Sequence, residues 1–434
     1  MYQRGVVGTV FRAISTRNQK KLSNSLCFRN NLYFCPNLKY NFNIVQLLYN
    51  NMYIRKLREE LLRLSRQWSV ISVTGPRQSG KTTLCKMAFP DYDYVNLEHL
   101  PTRNHVADDI DAFIKHHPNG LIIDEAQYLP ELFSYIQVWA DEDKARRFVL
   151  SGSSDFLMMQ NITQSLAGRV AIIRLLPLSI SELKEEIYDY STEELMFRGF
   201  FPGVWGDKKT PKDIYENYIS TYLQRDVRQI VNVKDLQLFQ QFLVLCAGRV
   251  GNEFNASALS NEIGVSSVTI KEWLRILETS YTVFRLLPYY ANIGKRLTKT
   301  PKIYFYDVGL ACLLLGITDA KQLESHPLKG ALFENMVVAE LLKQRFNQGN
   351  TNNLFFYRDK SQREVDIIQV EGIQLKAYEV KSAQRYDSSF FNNLKYIKKL
   401  FGEKIVSAQV IYDGENDNFE PDNGIFNFRR IGEL

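Results

Sequence analysis

Cysteine is scarce in this chain of 434 residues. The five present, Cys27, Cys35, Cys85, Cys246 and Cys312, are scattered, with no C-x-x-C spacing. That scatter argues against a disulfide framework or a zinc site and favours a reducing compartment. Long apolar runs are missing too. No stretch approaches bilayer-spanning length, so no membrane association is expected and the expected location is cytoplasmic. Acidic residues are absent from one whole segment. Met1 to Asn51 contains Arg4, Arg12, Arg17, Lys20, Lys21, Arg29 and Lys39 and no acid, more than the whole chain's net +6. The remainder is close to neutral, so bulk charge names no partner. A basic, Ser/Asn-rich, acid-poor start reads as an organellar transit peptide. The alternative is translated upstream sequence with Met52 as the natural start. The second reading is favoured, because Met52-Tyr-Ile-Arg-Lys-Leu opens a helical pattern leading to the first strand.

What is present suits a globular protein of two or three domains, with 45% hydrophobic and 24% charged residues. Its most informative stretch is V-I-S-V-T-G-P-R-Q-S-G-K-T-T, residues 70–83. A β-branched run ends at Gly75, a helical pattern starts at Thr83, and between them stands the complete G-x-x-x-x-G-K-[ST] pattern. Two glycines let backbone wrap a phosphate chain, and successive N–H groups at a helix start point at the anion. Gly75, Pro76, Arg77, Gln78, Ser79, Gly80, Lys81, Thr82 and Thr83 are therefore the expected nucleotide-binding residues. Lys81 reaches the β- and γ-phosphates, and the Thr82 hydroxyl takes a place on Mg²⁺. The expected cofactors are ATP and Mg²⁺.

A helix over 53–67 precedes this loop, and strands are expected at 92–97, 120–124, 147–150 and 170–175, alternating with helices. The pattern implies a mostly parallel sheet covered on both faces. Leu121-Ile-Ile-Asp-Glu125 is the second nucleotide signature. A buried strand delivers Asp124 to the Mg²⁺ shell, and Glu125 is placed to deprotonate the attacking water. The next strand ends in Leu150-Ser-Gly-Ser-Ser154, where Ser151 and Ser153 either touch the γ-phosphate or serve turn chemistry. Arg169 is either an arginine finger or half of a surface ion pair.

These motifs, with Leu166-Ala-Gly-Arg169 and Leu176-Pro-Leu-Ser179, resemble the prokaryotic AAA-type ATP-binding proteins, in the branch with a C-terminal domain of unknown function. The resemblance runs from Met52 to the C-terminus and implies an ATPase of undefined biological role. The expected fold is α/β: a P-loop NTPase with a parallel sheet, a helical lid, a winged-helix-like segment and a restriction-endonuclease-like domain. The expected bounds are 1–51 for the basic extension, 52–178 for the AAA-type ATP-binding domain and 179–251 for the lid. The winged-helix-like domain follows at 252–325 and the C-terminal domain at 326–434.

The lid segment reads as helices over 181–188, 192–198, 212–231 and 236–249, with Arg225, Asp226 and Arg228 projecting off an apolar face. Residues 256–263, a Gly264 turn and a Ser-capped helix to 277 make a helix-turn-helix pattern. It would offer Ser267, Thr269, Lys271 and Arg275 to a DNA groove. Few cations stand there, so a protein-contact role remains equally open.

The C-terminal segment carries a second constellation. A helix over 328–346 places Glu334 beside Val338 and Leu341, with Glu340, Lys343 and Gln344 as its polar set. A hairpin turning at Glu371-Gly372 sets Asp366 across from Ala377 and puts Asp366, Glu379 and Lys381 on one face. Ile368, Val370, Ile373 and Leu375 form an apolar floor there. Asp followed by Glu-x-Lys is the spacing of restriction-endonuclease-like phosphodiesterases. In that chemistry Asp366 and Glu379 hold the metal, Lys381 orients water, and Glu334 is the third acid. An exposed hairpin with a cross-strand salt bridge is the alternative. The expected function is Mg²⁺-dependent ATP hydrolysis coupled to a nuclease-like domain that acts on or binds DNA. A nucleotide-gated adaptor whose C-terminal domain does not cleave is the competing reading. Oligomerisation stays open.

Overall fold

The computed structural model describes residues 53–434 except 153–154, 207–208, 223–226, 228–235 and 291–299. The basic extension, Ser153, Arg225, Asp226 and Arg228 lie outside the described residues. Helix α1 (Leu57–Ser65) buries Leu57, Leu61 and Leu64, a stripe at helical spacing. The stripe packs on Ile71 and Val73 of β1 (Val70–Thr74). Helix α2 (Lys81–Ala88) follows the loop. Then come β2 (Asp93–Asn96), β3 (Leu121–Asp124), helix α3 (Glu131–Glu142), β4 (Phe148–Gly152) and β5 (Val170–Arg174). The five strands run parallel in the order β2-β3-β4-β1-β5. Successive residues feed opposite faces: Ile122 packs with α1 and α2, while Leu121 and Ile123 pack with α3. A strand covered on both faces must be apolar throughout, which is why β3 reads as a continuous run. All carboxyl ends point one way, and the phosphate loop and Asp124 both emerge there.

The chain leaves β5 through Leu176-Pro-Leu-Ser179 into short helices. The expected helix over 181–188 is broken. An α turn at Ile180–Leu183 gives way to a 3₁₀ segment, Lys184–Asp189, where Lys184 takes φ 53°. Farther on, helix α4 (Ala256–Ile263) ends at Gly264 in the left-handed region. Helix α5 (Ser267–Thr279) begins at Ser266, whose hydroxyl accepts from the Thr269 amide.

The next strands do not form a free-standing wing. β6 (Val283–Pro288) and β7 (Lys302–Phe305) pair antiparallel, and β6 also pairs parallel with β8 (Leu354–Arg358) beyond helix α6 (Lys329–Asn347). With β9 (Glu364–Glu371), β10 (Gln374–Lys381), β11 (Ile405–Tyr412) and β12 (Asp422–Asn427) they form one seven-stranded sheet. Its order is β12-β11-β10-β9-β8-β6-β7. The expected boundary at 325/326 therefore crosses a continuous sheet. Pairing gives the backbone of β6 partners that an isolated two-stranded ribbon would leave to water.

Helix α7 (Asn392–Phe401) connects β10 to the parallel strand β11. The β9–β10 register corrects the expected turn. Gln374 pairs with Glu371 and Ala377 with Ile368, so the turn is Gly372-Ile373. Carried two steps on, the register sets Asp366 across from Glu379 rather than Ala377. A two-residue shift keeps every side chain on its face, whereas one residue would have flipped them all.

Helix α6 departs further from expectation. Glu340 and Lys343, the supposed polar outer set, are 1% and 2% exposed. Among the described residues no helix is long and apolar enough to cross a membrane. Asn335 on α6 is fully buried, and its amide accepts from Phe305 N at 2.6 Å and donates to Phe305 O at 3.0 Å. Asn335→Ala strands both backbone groups and is expected to cost about 2–4 kcal/mol. A urea unfolding curve that does not move would show that this clamp contributes nothing.

Candidate functional site

The phosphate loop is shaped by two positive-φ glycines. Gly75 sits at φ +146°, and a Cβ there would lie 2.1 Å from the Leu175 carbonyl oxygen. Gly80, at φ +93°, is the left-handed N-cap of α2. Lys81 donates to Gly75 O at 2.9 Å and Pro76 O at 2.8 Å, which occupies two of its three donors. Burial pulls the Lys81 pKa down, and the carboxylates of Glu125 and Asp124 oppose that pull. Ser79 is fully buried, and its hydroxyl has no hydrogen-bond partner among the described residues. Pro76 is buried, Arg77 half-buried, and Gln78 and Thr83 are exposed.

Asp124 is the hub of the site. One carboxylate oxygen accepts from Thr82 Oγ1 at 2.8 Å and from Tyr94 OH at 2.9 Å, and the other accepts from Ser151 Oγ. Parallel register delivers Ser151, since it pairs with Asp124 across β3 and β4. Glu125 takes φ 53°, ψ 46°, a strained conformation for a residue with a Cβ. It accepts from Gln127 Nε2 at 2.5 Å. A hydroxyl beside a carboxylate, next to an unpartnered buried serine and a glycine cradle, is a hard-oxygen donor set that fits Mg²⁺ and phosphate.

Arg169 is not part of this group. It precedes β5, at the opposite end of the parallel sheet from the loop that follows β1. Its Nε lies 2.8 Å from Asp141 Oδ1, so the surface ion pair is what the structure gives within the chain. Sequence reasoning missed Tyr94, whose ring also carries Lys86 Nζ at 3.4 Å from the centroid, and Arg55. Arg55 Nη1 donates to the Ser79 carbonyl at 2.6 Å. A lone arginine ahead of a helix carries no local signal of that role.

The second group gathers at the open end of the β9–β10 hairpin. Asp366 accepts from Val380 N at 2.8 Å. Glu379 Oε1 accepts from Lys381 Nζ at 2.7 Å and Asn393 Nδ2 at 3.3 Å, while its other oxygen is buried without a partner among the described residues. Glu334 accepts from Tyr304 OH at 2.5 Å and Lys302 Nζ at 3.2 Å. Lys302 Nζ also lies 2.5 Å from Glu364 Oε1. Burial, reinforced by Asp366, raises Glu334 to about 7 and Glu379 to about 8. Burial raises Asp366 too, against the pull of Lys381 and Lys302. The structure thus brings Glu334, Asp366, Glu379 and Lys381 into one another's electrostatic reach. Among the described residues, however, no group of three or more His, Cys, Asp or Glu is arranged to hold a metal ion. Ile373, assigned to the apolar floor, instead sits in the turn, 87% exposed. Lys302 and Tyr304 were missed. Their signal was two polar residues at alternate positions of a short apolar strand, which puts both on one face.

Residues 67–184 match the AAA domain family. Residues 189–321 and 329–430 match two domains of unknown function (DUF8612 and DUF4143). The AAA match contains the whole phosphate loop and the Asp124–Glu125 pair, which supports a P-loop ATPase for this part of the chain. An uncharacterized protein of Mycobacterium bovis is 29% identical over 375 residues, covering 83% of this chain and 80% of that protein. An uncharacterized protein of Methanocaldococcus jannaschii is 25% identical, covering 68% and 71%. The Walker-type ATPase of Pyrococcus abyssi superposes with a TM-score of 0.43 at 14% identity, covering 61% of this chain and 96% of that one. That likeness is too loose to bear on function.

Lys302 is 1% exposed and compensates two carboxylates. Lys302→Met is expected to destabilise the protein by about 3–5 kcal/mol, because it leaves buried negative charge unpaired. Adding Glu334→Gln should recover part of the loss. Denaturant midpoints test this, and a stable single variant would refute the counter-ion role.

Proposed function

We propose that this protein binds and hydrolyses ATP at the loop after β1. The observation that carries the reading is the convergence of Thr82, Ser151 and Tyr94 on Asp124, one residue from Glu125. Loop amides grip the triphosphate, and Lys81 turns from its loop carbonyls toward the β- and γ-phosphates. Thr82 and Asp124 would hold Mg²⁺, which when bound neutralises phosphate charge. Glu125 takes the proton of the attacking water, and Gln127 orients its carboxylate. Ser151 keeps Asp124 aimed by donating to it. Lys81→Ala should lose nucleotide affinity, and Glu125→Gln should bind ATP yet turn it over about 100-fold more slowly. Turnover equal to wild type in both variants would end this reading.

A second activity is favoured by a specific observation. The run α6-β8-β9-β10-α7-β11 sets two acids and a lysine on adjacent strands and a third acid on the helix. In this reading Asp366 and Glu379 would hold a divalent metal through hard oxygens, Lys381 orients water, and the domain cleaves or binds nucleic acid. The unpartnered Glu379 oxygen supports a ligand there. The salt links of Lys302 and Lys381 support the competing adaptor role, since they already neutralise the cluster. Lys271 and Arg275, exposed on α5, would add phosphate contacts. Cleavage assays with Mg²⁺ or Mn²⁺ on duplex, branched and single-stranded substrates separate the two. Cutting abolished by Asp366→Ala supports the nuclease, and no cutting on any of them leaves the adaptor.

A further inference from the structure

Arg55 stands outside both motifs, yet it is a buried cation bonded to the loop's backbone. It is 7% exposed. Nη1 donates to Ser79 O at 2.6 Å, Nη2 to Leu176 O at 2.6 Å and Pro177 O at 3.4 Å. Nε lies 3.2 Å from Glu182 Oε1. A peptide is planar and trans, so its C=O and N–H point in opposite directions. Holding the Ser79 carbonyl toward Arg55 therefore turns the next amide, that of Gly80, away from Arg55 and into the cradle. The forked guanidinium ties Ser79 and Leu176 together through two separate nitrogens.

The stretch that Arg55 holds, Leu176 to Glu182, is also gripped by α6. Lys343 Nζ donates to Leu178 O at 2.9 Å, and Glu340 Oε2 accepts from Ile180 N at 3.0 Å. Glu182 closes the frame, accepting from Lys56 N at 2.7 Å and Ser179 N at 2.8 Å. Along this strap the polar groups alternate between Arg55 with Glu182 and Lys343 with Glu340. Arg174, at the end of β5, stacks its guanidinium on Phe346 of α6, 5.5 Å from the ring centroid.

We infer that Arg55 is a positioning residue for the phosphate loop, and that α6, from the C-terminal part of the chain, braces it through the strap. The inference rests on the ATP-binding reading of that loop. It also gives the C-terminal carboxylates a route to sense the nucleotide. Glu334 lies six residues before Glu340 on the same helix, about 9 Å along its axis. A loop that closes on phosphates pulls on Ser79, Arg55 and the strap, and the strap is fastened to the helix that presents Glu334.

The test uses the full chain and compares wild type with Arg55→Gln, Arg55→Lys and the paired Glu340→Gln/Lys343→Met, which removes one buried charge of each sign. ATP affinity is read by calorimetry, and KM and kcat are read separately. Loss of loop positioning weakens binding common to substrate and transition state, so KM should rise about tenfold or more in Arg55→Gln with kcat changed far less. Arg55→Lys should recover part of the loss, and the α6 pair should raise KM in the same direction, about threefold or more. Arg55→Lys carries the test should Arg55→Gln fail to fold by circular dichroism. Wild-type KM and affinity in the folded Arg55 variants would overturn the positioning role. A KM shift in them with none in the α6 pair would overturn the brace. Failure of wild type to bind ATP would instead refute the reading beneath both.

Discussion

Charge taken out of water must be paid back by partners close at hand, and that constraint decides how this chain is put together. Arg55, Glu182, Glu340 and Lys343 are all nearly inaccessible to solvent. Burial pushes the Glu340 carboxyl up to about 7 and pulls the Lys343 ammonium down. Both remain tolerable because a strap of backbone supplies carbonyls to the cations and amides to the carboxylates. The strap is one of the anchors that hold helix α6, beside its apolar core face and the Asn335 clamp. The four buried charges thus tie the strap behind the phosphate loop to a helix packed on the seven-stranded sheet.

The two candidate sites use the same physics differently. At the first, a parallel sheet delivers Asp124 and Ser151 side by side, because parallel strands of matched register end at one level. Donors there are hydroxyls, which bring no competing cation to the carboxylate. At the second, an antiparallel hairpin sets Asp366 against Glu379; burial raises both carboxyls, and Asp366 adds to the rise at Glu379. Lys302 and Lys381 then become structural necessities. A further tie joins the middle of the chain to the first site: Tyr281 OH and Thr74 Oγ1 lie 2.7 Å apart, at the residue where β1 turns into the loop.

Much of this was legible in the residues. The loop from Gly75 to Thr82 and the β3 end at Asp124 are local patterns, where spacing alone dictates chemistry. Strands were readable to within a residue or two, because strands buried on both faces are apolar runs. Arg169 was open between an arginine finger and a surface ion pair, and within the chain the structure gives the ion pair; a motif's nearness in sequence does not say which end of a strand it occupies. The residue before a parallel strand lies a full strand length from the residues after it. The hairpin turn was misplaced by one residue on each strand because Gly372 suits either position, and the conclusion survived because parity was preserved. Glu340 and Lys343 were read as solvent-facing, since charge on a helix normally means water.

The amino-acid order by itself determined the phosphate loop, the acidic strand end and the shared face of Asp366, Glu379 and Lys381. Each depends only on backbone periodicity and local turns. The tertiary structure alone decided that β6 and β7 extend the C-terminal sheet, that Lys302 and Tyr304 meet Glu334, and that Arg55 holds Ser79. These are pairings between residues far apart in the chain. Which strand edge meets which, and which buried charge finds which partner, is settled by packing and desolvation over the whole molecule, and no local pattern encodes it.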